Sequence, residues 1–125
     1  MMAAVRSSQN KSTELRLIAL FRHHRITGWR RHYPLFGNPD FTFPKLKLAL
    51  FVDGCFWHSC PLHGTLPASH RPYWRKKLRR NRARDRLVSR RLRAQGWRTA
   101  RIWEHDLTPK RLPALARRLR RLLTR

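Results

Sequence analysis

Apolar positions recur at helical intervals near the start of the chain and at alternate positions through its middle. Leu15, Ile18 and Phe21, with Leu17 and Leu20, make one apolar side of a helix from Ser12 to about His24. Ser12 is a capping residue, and Glu14 falls in the first turn, where a carboxylate complements the helix dipole. Residues 1–11 are polar and basic and read as a loose arm. Ile26 to Tyr33 reads as a strand or extended segment, Pro34 to Pro39 as a turn-rich loop, and Asp40 to Phe43 as a short strand. Leu46, Leu48, Leu50 and Val52 then alternate on one face of a central strand that ends at Asp53-Gly54. After a loop at 55–70 rich in Cys, His and Pro, a long helix is predicted from about Arg71 to Ala94, with Gly96 as its stop signal. Trp97 to Trp103 is a further strand. Thr108-Pro109 supplies a cap and first-turn start for a last helix through about Leu123, with Leu112, Leu115, Leu119 and Leu122 on its apolar side. The order is α-β-β-β-loop-α-β-α, a mixed α/β sandwich in one domain, 12–125, behind the arm.

The long helix breaks the simple apolar rule. Steps of four and three from Trp74 pass through Leu78, Asn81, Asp85, Val88 and Leu92. An amide and a carboxylate thus sit in the middle of an inward-facing stripe. A buried Asp needs a strong partner. A metal site and an ion pair with one of the arginines are both open for Asp85 at this point.

Charge sharpens that question. Thirty Lys and Arg face six Asp and Glu, a formal net charge of +24 over 125 residues. Most of the cations are arginines, whose forked guanidinium matches phosphate oxygens. A polyanion partner, nucleic acid above all, follows from this balance, and a basic protein of ribosomal type without chemistry shares it. No apolar run reaches the roughly eighteen residues of a membrane span. The first residues lack the apolar core of a secretory signal, so a reducing compartment is expected, with Cys55 and Cys60 as ligands or buried thiols rather than a disulfide.

Four of the six acids are placed where they could converge: Glu14 on the first helix, Asp40 after the Gly37-Asn38-Pro39 turn, Asp53 at the end of the central strand, and Asp85 on the long helix. Carboxylates that hold a cation, inside a surface that holds phosphates, are the plan of a metal-dependent nuclease. A second cluster follows at once. Cys55, Cys60 and His63 have C-x4-C-x2-H spacing, and His105 lies beyond the next strand. Such donors suit tetrahedral zinc, which would tie the long loop to the strand end; two buried thiols and unrelated exposed histidines are the other reading. His58 is left over for general acid–base work near the acidic site. Its neighbours Phe56 and Trp57 are either stacking residues for nucleic acid or core.

The string Phe51-Val52-Asp53-Gly54-Cys55-Phe56-Trp57-His58-Ser59-Cys60-Pro61-Leu62-His63-Gly64 resembles the very-short-patch repair (Vsr) DNA mismatch endonucleases. The likeness extends over about Asn10 to Leu107. It includes Thr13-Glu14-Leu15-Arg16, Gly37-Asn38-Pro39-Asp40, Tyr73-Trp74, Asn81 to Arg86, Gly96-Trp97-Arg98 and Ile102-Trp103-Glu104. The resemblance implies a restriction-endonuclease-like fold, a mixed central sheet flanked by helices with a structural zinc. It implies Mg2+-dependent nicking of one DNA strand 5′ of the thymine in a T·G mismatch. On the matching positions it implies that Asp40 and the Val52 carbonyl hold magnesium and that His58 is the catalytic histidine; Asp53, at the end of the same strand, is expected from its chemistry to share the cation. Glu14, Asn81 and Asp85 form the polar surround. The resemblance further implies that Phe56, Trp57 and Trp74 wedge into the duplex and that Cys55, Cys60, His63 and His105 hold the zinc. Arginines of the long helix, Arg79 and Arg82 among them, neutralise flanking phosphates.

The chain departs from the family pattern. Asp53 stands where a His is usual, and His105 where a Cys is usual. The N-terminal arm is short, and no Lys follows Asp53 at the spacing of the wider nuclease signature. The expectation is a monomeric, cytoplasmic bacterial enzyme on double-stranded DNA, associated with the nucleoid and with mismatch-repair proteins as further partners. A nuclease of the same fold with another DNA target is the first alternative. A zinc-stabilised nucleic-acid-binding module without catalysis is the second, and it leaves Asp40, Asp53 and Asp85 without a purpose.

Overall fold

The computed structural model describes residues 2–53 and 71–124, with side chains for 12–53 and 72–124. Helix α1 runs Met2–His23, β1 Phe41–Phe43, β2 Leu48–Asp53, α2 Arg71–Ala94, β3 Arg98–Trp103 and α3 Leu112–Leu123. Short 3-10 turns at Pro44–Leu46 and Glu104–Leu107 connect β1 to β2 and follow β3. The three strands form one sheet in the order β1-β2-β3. β1 pairs antiparallel with β2 in the register Phe41↔Leu50, and β2 pairs parallel with β3, from Leu48↔Arg98 to Asp53↔Trp103. The parallel pair requires a crossover, and α2 lies on it.

β2 is buried along its whole length, as its near-continuous apolar run requires of a central strand covered on both faces. One face carries Leu48, Leu50 and Val52, with Phe41, Phe43, Ala100 and Ile102. It packs against Leu17, Leu20 and Phe21 of α1 and Leu115 and Leu119 of α3. The other face carries Ala49 and Phe51 against Val88 and Leu92 of α2. The molecule is therefore a three-layer α/β structure. Since side chains alternate along a strand, Asp53 falls on the α2 side, while the core residue Val52 points to α1 and α3.

Several sequence expectations hold closely, α2 above all; the central strand ends at Asp53 as expected but starts at Leu48 rather than Leu46, because Pro44–Leu46 is a 3-10 turn closed by Lys47 at φ 49. Gly96 does end α2: at φ +87 it lets the Trp97 N–H reach the Leu92 carbonyl at 2.9 Å. Others are corrected. α1 begins at Met2 rather than Ser12, since neither Gly nor Pro interrupts the chain before Gly28. Glu14 is thus well inside the helix and has no first-turn dipole role. Leu15, placed on the apolar side, is 53% exposed, and Thr13 is buried instead. Ile26 to Tyr33 is not a strand; Arg30 alone makes a bridge, to Thr42. Positive φ at Arg25, Gly28 and His32 breaks any extended run there. α3 starts at Leu112 with Pro113 in its first turn, because the Thr108 carbonyl is used by a turn that takes the Arg111 N–H.

Candidate active site

Asp40 is placed by backbone on both sides. The preceding turn holds Gly37 at φ +84 and Asn38 at φ 52. A Cβ on Gly37 would lie 2.4 Å from a Val88 methyl carbon, so this glycine is required both for its backbone and for the close approach of the loop to α2. The Asp40 N–H then donates to the Leu50 carbonyl at 3.0 Å, and its Oδ2 accepts from the Val52 N–H at 2.7 Å. The carboxylate is therefore fixed at the end of β2, beside Val52 and Asp53.

Glu14 arrives from α1. Its register is set two helical turns later by Phe21, which meets Phe41 at 5.4 Å and Phe43 at 5.8 Å edge to face, and Trp29 at 5.6 Å. These contacts lock α1 to β1, and Asp40 immediately precedes β1. The Glu14 carboxylate ion-pairs with Arg31 at 2.8 Å. It also reaches Asp40. Burial, the hydrogen bond with Glu14 and the charges of Glu14 and Asp53 raise the Asp40 carboxyl from 3.8 to about 7, against the lowering effect of the Val52 N–H. No cationic side chain among the described residues pairs with Asp40.

Asp53 and Asp85 are joined by one arginine. Nη1 of Arg101 donates to both oxygens of Asp53, at 3.0 and 2.9 Å, and Nη2 lies 3.6 Å from Oδ1 of Asp85 and 3.4 Å from its carbonyl. The guanidinium also lies 4.6 Å above the centre of the Phe51 ring. Asp53 is nearly inaccessible, so its charge needs this partner. Of the two readings left open for Asp85, the arginine pair is present. Asn81 and Arg84 complete the α2 wall of a cavity of about 150 Å³ that is also lined by Asp40, Val52, Asp53, Asp85 and Arg101. A second cavity of about 220 Å³ shares Asp40 and adds Glu14, His32 and Tyr33.

The acids, Asn81 and Val52 expected at the site thus come together from four separate segments. Cys55, Phe56, Trp57, His58, Cys60 and His63 lie outside the described residues. His105 is on the turn after β3, its ring stacked on Trp103 and its Nε2 3.7 Å from Asp106. Among the described residues no group of three or more candidate ligands gathers as a metal centre, with the other three residues of the expected zinc set outside them. Trp74 is half-buried on α2 beside the exposed Tyr73, 5.1 Å between ring centres, and Arg79 and Arg82 are exposed on the same helix. Sequence reading missed Arg101 and Arg31. Arg101 carries no local signal; it meets Asp53 because the parallel register sets it opposite Phe51, on the face that carries Asp53.

Asp40, Asp53 and Asp85 share one pocket at the end of β2 with Asn81, Arg84 and Arg101, in a chain of net charge +24, the balance of a protein directed at nucleic acid. The family profile described as "DNA mismatch endonuclease Vsr" matches residues 1–62. The chain is 44% identical over 102 residues, 80% of its length, to type II nicking enzyme V.XorIIP of Xanthomonas oryzae pv. oryzae, and that match spans 71% of the relative. It is 52% identical over 69 residues, 55% of its length, to type II nicking enzyme V.NaeI of Lentzea aerocolonigenes, of which it spans 42%. It is 32% identical over 100 residues, 78% of its length, to DNA mismatch endonuclease Vsr of Escherichia coli, of which it spans 64%. The chain belongs to the Vsr family of DNA mismatch endonucleases, enzymes that act on DNA. No helix among the described residues is long and apolar enough to cross a membrane.

Proposed function

We propose that this protein is a Mg2+-dependent endonuclease that nicks one strand of duplex DNA 5′ of the thymine in a T·G mismatch. The carrying observation is Asp40: a buried carboxylate, crowded by two others, raised to about 7 and without a cationic partner among the described residues. Such a group calls for a cation, and carboxylate and carbonyl oxygens as the nearest donors suit a hard one such as magnesium. Asp40 and the Val52 carbonyl would hold it, with Asp53 alongside and shared with Arg101. When bound, the ion would polarise the scissile phosphate and stabilise the leaving oxygen.

The residues of the chain divide the remaining work. Glu14, anchored by Arg31, keeps negative charge facing Asp40. Arg101 neutralises Asp53 and orients it with Asp85, while Asn81 and Arg84 present donors from α2 to the same cavity. His58 moves a proton between water and the reacting phosphate. Phe56, Trp57 and Trp74 wedge beside the weakened pair, at about 1–3 kcal/mol per stacked aromatic. Cys55, Cys60, His63 and His105 hold a structural zinc that completes the restriction-endonuclease-like domain. The enzyme works as a monomer on chromosomal DNA in the bacterial cytoplasm, alongside the mismatch-repair proteins.

The test is nicking of end-labelled T·G, other mismatched and matched duplexes, with and without Mg2+. A Mg2+-dependent nick 5′ of the mismatched thymine, absent in Asp40→Ala and His58→Ala, is the expected result. Trp57→Ala and Trp74→Ala should lose preference for T·G over T·A. Substantial nicking by folded Asp40→Ala sinks the mechanism, and equal nicking of T·G and matched DNA by the wild type sinks the mismatch assignment.

A further inference from the structure

On the far side of Arg101 from Asp40 lies a groove of about 330 Å³, lined by Asp85, Arg86, Ser89, Arg90, Arg93 and Arg101. Four guanidiniums face one carboxylate there. Arg86, Arg90 and Arg93 are exposed, and no acidic side chain among the described residues pairs with them. Arg93 belongs to the last turn of α2, where a cation complements the helix dipole. Arg86 and Arg90 do not. They stand four residues apart in mid-helix, a spacing at which like charges repel and weaken a helix. Helix stability therefore gives no reason for this pair.

We propose that the groove is a second phosphate seat, which holds a backbone phosphate of the substrate DNA next to the catalytic cavity. This deepens the nuclease reading and rests on it. Three observations carry the assignment. First, the groove and the catalytic cavity share Asp85 and Arg101, so they are separated by the width of one guanidinium. Arg101 is committed to Asp53 through Nη1, whereas Nη2 is held only at 3.4 and 3.6 Å by Asp85 and forms the common wall. Second, the lining offers arginine forks and the Ser89 hydroxyl, the donors that match phosphate oxygens. Third, no aromatic side chain lines the groove, so it has nothing on which a base would stack. It reads the sugar–phosphate backbone and not the sequence. From Asp85 to Arg93 the helix rises about 12 Å. One strand presents a phosphate about every 3.4 Å along the duplex axis, so the strand can run past more than one arginine.

The experiment measures DNA affinity against salt in an Asp40→Ala background, which binds without cutting. Arg86→Gln/Arg90→Gln/Arg93→Gln is compared with Lys110→Gln/Arg117→Gln/Arg121→Gln, which removes the same charge around α3 on the opposite face of the sheet. The groove variant should lower the slope of log affinity against log salt by about 2, at roughly 0.9 per phosphate released. Between 50 and 200 mM salt that is about a tenfold smaller fall in affinity. The α3 variant should leave the slope near that of the parent. Duplexes carrying single methylphosphonates along the nicked strand supply the second arm. One or two neutralised positions near the cut should weaken the parent and not the groove variant, nor single Arg90→Gln should the triple variant fail to fold. An equal slope change in both triple variants, or no methylphosphonate whose effect depends on the groove, overturns the proposal; a parent that binds no DNA overturns the nuclease reading itself.

Discussion

Replacing Asp40 by Asn should stabilise the protein while ending its activity. The carboxyl of Asp40 ionises near 3.8 in an unfolded chain and at about 7 in the fold. Between those values the folded chain holds a proton that the unfolded chain has lost, so folding stability falls as pH rises through this window. Above about pH 7 both states are ionised and the penalty is complete. Three units of pKa correspond to about 4 kcal/mol at 1.36 kcal/mol each, which makes this single group a large share of a domain's typical stability. Asn has nearly the same shape. Its Oδ1 can still accept from the Val52 N–H, and its amide can donate to Glu14. The assay is urea denaturation of wild type and Asp40→Asn in buffers without added Mg2+, at pH 8 and pH 5. The variant should be more stable by about 2–4 kcal/mol at pH 8 and by about half that at pH 5, where the wild type has regained much of its proton. Titrating groups that do not interact with Asp40 cancel in the difference. Added Mg2+ should then stabilise the wild type and leave the variant unmoved. A variant that is no more stable than wild type at pH 8, or whose advantage does not change with pH, refutes the reasoning.

Other substitutions address what surrounds Asp40. Arg101→Gln should lower stability by about 3–5 kcal/mol in denaturant titrations, because it removes the guanidinium that bonds both oxygens of the buried Asp53 carboxylate; a loss below 1 kcal/mol would mean the pair contributes little. Gly37→Ala should lower the melting temperature and the nicking rate together, since its Cβ meets Val88 in a left-handed turn. Adding Val88→Ala should recover only the part due to the clash, and full recovery would show that the φ of Gly37 is unimportant. Elemental analysis of the purified protein should find about one zinc per chain. Absence of zinc, together with unchanged thermal stability in Cys60→Ser, would remove the structural zinc.

Alternation and helical period by themselves determined β2, β3, the limits of α2 and the inward stripe that carries Asn81 and Asp85. Local chemistry determined the stop at Gly96 and the turn before Asp40, because a positive φ is a property of the residue that must adopt it. The scarcity of acids in so basic a chain was enough to single out Glu14, Asp40, Asp53 and Asp85. The start of α1 was misread because a capping serine is a weak local signal beside a stretch with no Gly or Pro to stop a helix. Of the strand or extended segment expected at Ile26 to Tyr33, the strand is absent because Gly28 and His32 take positive φ, and the left-handed turn at His32 leaves no mark in the sequence. Only the tertiary structure decided which charges meet. Arg101 is one of thirty cations, and nothing local distinguishes it. It becomes the partner of Asp53 and Asp85 because the parallel register of β2 and β3 and the packing of α2 bring three distant segments to one point. The same packing buries Asp40 and carries Glu14 to it, from α1 to the head of β1, and burial first and Glu14 second raise the proton affinity of the carboxylate on which the proposed chemistry turns.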